Sequence, residues 1–485
     1  MDTVVSAVLG DLVSRTVSFV VDRYYRQPKG AAENQQRLRH VLLRIKATVE
    51  EAERRHITNQ AMLQQLQKLR EAMYKGCYLL DTVSYRMLQQ ERASDQVGTH
   101  SFALTKFSPG KRLCFSTRNM NIACQDDEVK EVQKMLGTLH SIIDDMAEFI
   151  VFLKFYPPIS REPYNKYLFV ENCMFGRQEE MEKIINFLLQ PEPPEAQGFQ
   201  VLPIIGPRRV GKSTLVEHVC YDERVHNHFS SIILCRGEGG SVVKKQTRGS
   251  HERSLVIMDQ TDDLVDLVQY ERQCNKLYYT GTQLPPGSKV IITSISENIL
   301  RLGTTRAIRL NFLPWEAYWY FFKVMAFGST NPEEHPELAS IAMDIAADLH
   351  GSFMGANIIG GYMRANMQNW FWRKILELQI NHIERNNLLF GEHPHSLLQK
   401  NQTAYLWSMS NMDLKACYRE KYHHQNEIPK IMLHEIQIGS AEPHGKFEVV
   451  IWKSHIPPYH SYVMSCEMEA PQHMIAKKKR PYSMA

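Results

Sequence analysis

The run Gly206-Pro-Arg-Arg-Val-Gly211-Lys212-Ser213-Thr214 sets two glycines, a lysine and a hydroxyl at the spacing G-x-x-x-x-G-K-[ST]. Glycines at those positions let backbone N–H groups turn inward around phosphate oxygens. A helix beginning at the lysine adds its positive end. Lys212 is placed to reach the β/γ-phosphates and Ser213 to ligate magnesium, with Arg209, Val210 and Thr214 completing the contact set. The context agrees: the apolar Val201–Ile205 reads as a strand and Leu215–Val219 as a helix. A carboxylate that orients magnesium should end a later strand, and Leu255-Val-Ile-Met-Asp259 supplies Asp259. The next residue is Gln260, whose amide cannot take a proton from water, so Asp262 and Asp263 are the candidate surrogate bases. The residues therefore predict a site for a nucleotide's phosphates with magnesium, and little hydrolysis. Two alternatives stay open, a working ATPase and an interaction protein with an idle nucleotide site.

No other chemistry stands out. His423, His424, His434, His444, His455 and His460 crowd the C-terminal part without the i,i+4 pairs or cysteine pairs of a metal site. There is no G-x-S-x-G elbow and no kinase signature set. The nine cysteines form no CxxC pair, which favours reduced thiols and a cytoplasmic address. The basic tail Lys477–Arg480 leaves a nuclear one open. A balance of 57 Lys+Arg against 53 Asp+Glu predicts no nucleic-acid partner. Neither a secretion signal nor an apolar span of membrane length is visible.

The sequence around the loop divides into regions of different texture. Residues 1–153 read as a four-helix bundle or coiled-coil domain. Its stripes are Val5–Val20, Leu38–Ala52, Met62–Met87 and Val129–Leu153. A proline-bearing linker covers 154–172. Residues 173–330 alternate strands with helices, the pattern of a parallel α/β sheet covered on both faces. Its strands are expected at Val201–Ile205, Ser231–Cys235, Leu255–Met258 and Lys289–Thr293. The span 236–254 is barely long enough for a helical crossover. A helical subdomain follows at 331–395. The fold of 396–485 is not readable, although strands are expected at Ile431–Ile438 and Phe447–Trp452.

These motifs, in this order, resemble a family: plant immune receptors with an N-terminal coiled-coil domain and an NB-ARC nucleotide-binding domain, of the grass type. Phe175-Gly176-Arg177 with Glu179 is similar to the motif that lies against adenine in that family. Val219–Val225 with His228-Phe229, Gly287–Thr293, Leu313–Ala317 through Gly328, and His335–Gly351 resemble its later blocks. The resemblance implies that the chain holds ADP at rest and exchanges it for ATP. It also implies association through the N-terminal helices with itself or with other immune receptors, and membrane association of the first helix.

The departures are specific. Gly351-Ser352-Phe353-Met354 replaces the family's GLPL, and Ile295 stands where a sensor arginine is expected. Asp81 is what remains of an acidic cluster on the third helix. Neither an MHD motif nor leucine-rich repeats are recognisable, so the expectation is a truncated receptor.

Overall fold

The computed structural model describes residues 31–95, 121–158, 170, 173–191, 200–236, 241–246, 253–259, 285–400, 402–410, 413–422, 429–457 and 459–469. The stripe at Val5–Val20, most of the linker, Gln260, Asp262, Asp263, His423, His424 and the tail at Lys477–Arg480 lie outside the described residues.

Three long helices open the described chain: α1 (Ala31–Glu53), α2 (Gln60–Asp95) and α3 (Asn121–Leu153). Their apolar positions recur at three-and-four spacing, and the stripes turn inward. Leu38, Val41, Leu42, Ile45, Val49 and Ala52 of α1 are buried, as are Leu66, Leu69 and Met73 of α2 and Val132, Leu139 and Ile143 of α3. α1 and α2 approach closely at Gly76, where an added Cβ would lie 2.6 Å from Leu42.

α4 (Gln178–Leu189) leads into a sheet of six strands. These are β1 (Gln200–Ile205), β2 (Ser231–Arg236), β3 (Ser241–Gln246), β4 (Ser254–Asp259), β5 (Lys289–Ser294) and β6 (Ile308–Arg309), in the spatial order β3-β2-β4-β5-β1-β6. All neighbouring pairs are parallel except β2 with β3. Alternate strand residues enter two cores, Leu202, Ile204, Leu255 and Ile257 on one face and Val201, Ile205, Val256 and Met258 on the other. The first face is covered by α4, α5 (Lys212–Cys220) and α6 (Glu223–His228). The four expected strands are present. The short span after β2 holds the antiparallel strand β3, so the chain extends the sheet edge with a hairpin partner that needs far fewer residues than a helical crossover.

Next come α7 (Trp315–Phe327), α8 (Pro336–Asp348), α9 (Phe353–Ala365), α10 (Asn369–Phe390) and α11 (Pro394–Gln399). The chain ends in a second sheet, antiparallel, of β7 (Thr403–Leu406), β8 (Asp413–Tyr422), β9 (Gly445–Lys453) and β10 (Ser461–Glu469), ordered β7-β8-β10-β9. Between β8 and β9, the expected strand at Ile431–Ile438 is instead a helix, α12 (Leu433–Gln437). The Glu435 carboxylate accepts from the Met432 N–H at 2.7 Å and closes the first turn. Leu433, Ile436 and Gln437 are buried at helical spacing, a periodicity that a run this short does not separate from strand alternation.

The core of α1–α3 continues without a break into that of α7–α10. α2 meets α7 through Tyr74 and Tyr320, with ring centroids 4.7 Å apart. At the centre of this contact the Asp81 carboxylate accepts from Trp319 Nε1 at 2.7 Å and Lys323 Nζ at 2.5 Å. Burial works against the Lys323 charge, but Asp81 outweighs it and raises the ammonium's pKa overall. Tyr85 adds a hydrogen bond to Asp344 of α8 at 3.1 Å.

Asp81→Ala would leave Lys323 and Trp319 without their shared acceptor. It is expected to lower unfolding free energy by about 2–3 kcal/mol in denaturant titration. The double variant Asp81→Ala/Lys323→Met should recover part of that loss.

Candidate functional site

The glycine-lysine loop follows β1 directly. Gly206 N donates to Ser294 O at 3.2 Å and Leu310 N to Ile205 O at 2.8 Å, so the loop starts from a backbone ladder held on both sides. An added Cβ on Gly206 would sit 2.4 Å from Leu310 O, closer than any side chain can approach a carbonyl. Gly211 has φ +97° and open space before it, which a glycine allows at no steric cost. Arg209 also lies in the left-handed region, φ +60°, and is held there as its Nη2 donates to Leu398 O of α11 at 2.6 Å. Leu215 N bonds Gly211 O and starts α5, whose first N–H groups face the loop.

Lys212 is 8% exposed and its Nζ donates to Gly206 O and Pro207 O, each at 2.8 Å. Burial pulls its pKa down to about 8, against the opposing pull of the Asp259 charge. Asp259 ends β4 and accepts from Thr293 Oγ1 of β5 at 2.5 Å. Lysine, Ser213 hydroxyl and Asp259 carboxylate line one cavity of about 750 Å³, a size suited to a small organic ligand. Backbone N–H groups, one ammonium, one hydroxyl and one carboxylate form a donor set that fits a polyphosphate with magnesium.

Phe175, Arg177, Arg209, Val210, Gly211 and Thr214 line the same cavity. Gly176 holds the turn behind it with φ +69°. Arg177 braces that turn, donating to Glu180 and to Asn311 O. Ile295 and Phe353 also face the cavity, and Phe353 meets Phe321 edge-on at 5.2 Å.

The C-terminal part of the chain covers the loop. His460 Nε2 lies 2.7 Å from Glu217 Oε2 on α5, and His218 Nδ1 is 3.0 Å from Pro457 O. With the Arg209 contact, these fasten the C-terminal sheet and α11 onto the loop and its helix. Asp348, Gln379, His393 and Trp452 line the cavity from that side. They come from elements far apart in the chain, so no local spacing marks them. Among the described residues no group of His, Cys, Asp and Glu is placed to hold a metal ion by itself. Among them, too, no helix is long and apolar enough to cross a membrane.

Comparison with known proteins gives the kinship. The family model for the Rx N-terminal domain matches residues 4–119. Disease resistance protein RGA2 of Solanum bulbocastanum is 22% identical over 414 residues, covering 80% of this chain and 39% of the relative. RPP13-like protein 1 of Arabidopsis thaliana, also named for disease resistance, is 22% identical over 391 residues, 73% of this chain and 35% of its own. The chain thus spans a little over a third of the length of these relatives. Over most of its own length the chain is similar to plant proteins named for disease resistance.

The buried ammonium has a measurable cost. Its folded pKa of about 8 lies below the ordinary 10.5, so between those values the unfolded chain binds more protons and stability rises with pH. Lys212→Met should therefore stabilise the ligand-free protein at pH 7, on the order of 1–2 kcal/mol. The gain should fade towards pH 10. A loss of stability at pH 7 in denaturant titration would contradict this account of the loop.

Proposed function

We propose that this chain is a nucleotide-binding protein of plant immunity that holds ADP in the cavity and exchanges it for ATP, with little hydrolysis. The observation that carries this reading is the loop itself: a glycine cradle at a helix start, closed around a buried lysine and faced by Asp259. The kinship with proteins named for disease resistance supports the biological setting.

In this reading the N–H groups of 206–214 bind the phosphates and Lys212 turns from its carbonyl partners to their oxygens. Ser213 and Asp259 hold magnesium, which neutralises phosphate charge when bound. Phe175 and Phe353 offer apolar surface to the base. The cover contacts, His460 to Glu217 and Arg209 to Leu398 O, make the C-terminal sheet sensitive to what the loop holds. A ligand that prefers one arrangement of the cover shifts the balance between arrangements by its differential affinity. The N-terminal helices then pair with a second copy or with related receptors. Exposed Val151, Phe152 and Phe155 at the end of α3 offer them apolar surface.

Calorimetric titration of the full chain with ADP and magnesium tests the reading. Lys212→Ala removes the principal cation and should cost about 1–3 kcal/mol, roughly 5- to 150-fold in affinity. Equal affinity of both proteins would overturn it. Phosphate release from ATP should stay far below the enzyme median of about 10 per second.

A further inference from the structure

Three buried polar atoms line one corner of the cavity without a partner: Asp348 Oδ2, Gln379 Oε1 and His393 Nε2. Gln379 is 2% exposed, and its amide nitrogen is spent on Ile345 O at 3.4 Å, one turn before Asp348. His350 joins the other two, with Nδ1 2.8 Å from Asp348 O and its ring 4.3 Å from that of His393. A buried polar atom left unbonded is destabilising, so three in one corner call for a ligand.

The chemistry of the corner is readable. His393 Nδ1 accepts from His395 N at 3.2 Å, so a neutral ring carries its proton on Nε2. The ring is neutral near pH 7, because burial first and then the nearby His350, His395 and His382 charges push its pKa down to about 4. The corner thus presents two acceptors, from Asp348 and Gln379, beside one donor, from His393. The complement is an N–H₂ group adjacent to a ring nitrogen acceptor. Leu349 and Phe353 provide apolar faces beside it.

The position suits the same ligand as the phosphate loop. Arg209 of the loop bonds Leu398 near the end of α11, whereas His393 caps its start. We propose that Asp348, Gln379 and His393 read the amino edge of an adenine base whose phosphates lie in the 206–214 loop. This rests on the nucleotide reading above and adds the residues that set base specificity. Hypoxanthine and guanine turn a carbonyl oxygen towards the two acceptors and a ring N–H towards the donor, and both mismatches are repulsive. Cytosine shares the amino pattern but is too small to span from the sugar to the same corner.

The test is calorimetric titration of the full chain with ADP, IDP, GDP, CDP and, as a probe of the loop alone, pyrophosphate, all with magnesium. ADP is expected to bind at least tenfold more tightly than IDP, GDP or CDP. Gln379→Met and Asp348→Leu, with folding checked by circular dichroism, are each expected to bring ADP affinity towards that for IDP. Equal ADP and IDP affinity in the parent protein, alongside pyrophosphate binding, overturns the proposal and leaves the nucleotide site standing. Tight ADP preference that survives both variants overturns it as well. Binding of neither ADP nor pyrophosphate overturns both readings.

Discussion

A buried ammonium whose hydrogen bonds go only to carbonyl oxygens is the constraint around which this structure is arranged. Lys212 has Gly206 O and Pro207 O at 2.8 Å and a carboxylate, Asp259, near enough to be felt but not bonded. Such a charge is retained at a cost unless an anion arrives to repay it. The frame keeps the loop from relaxing around it. Gly206 is pinned beneath Leu310 O, its N–H continues the β1–β5 ladder, and Arg209 is tied to α11.

One helix links this site to the N-terminal helices. α7 puts Phe321 into the cavity wall and, on another face, Trp319 and Lys323 onto Asp81 of α2. The two groups share a single apolar core, so movement of α7 in response to a ligand must strain the Asp81 contact. By sequence Asp81 is the remnant of an acidic cluster on α2. Here it is a half-buried acceptor that joins two helical layers. The C-terminal sheet approaches from the opposite side through Glu217 and His460, so the loop's helix is gripped between two parts of the chain.

Legibility in the sequence followed the range of the interactions. The phosphate loop, β1, β4 with Asp259, and the apolar stripes of α1–α3 were plain, because their signals lie within a few turns or strands of one another. The run Ile431–Ile438 is ambiguous because an apolar-rich stretch of eight residues fits a strand as well as a short helix, and the Glu435 cap decides it. The antiparallel β3 was missed since a short polar span carries no sign of which edge it will pair with. Least visible was the cavity's far wall. Asp348, Gln379 and His393 are each ordinary helix or cap residues in sequence, and only the packing of α8, α10 and α11 brings their unpaired atoms into one corner.

The central claim is that occupancy of the phosphate loop is felt by the elements covering it. Hydrogen exchange measured peptide by peptide, with and without ADP and magnesium, tests this most directly. The account predicts added protection in 206–220 together with 394–400 and 454–463, and little change in 31–53. Unchanged exchange across 206–220 at saturating ADP would contradict it.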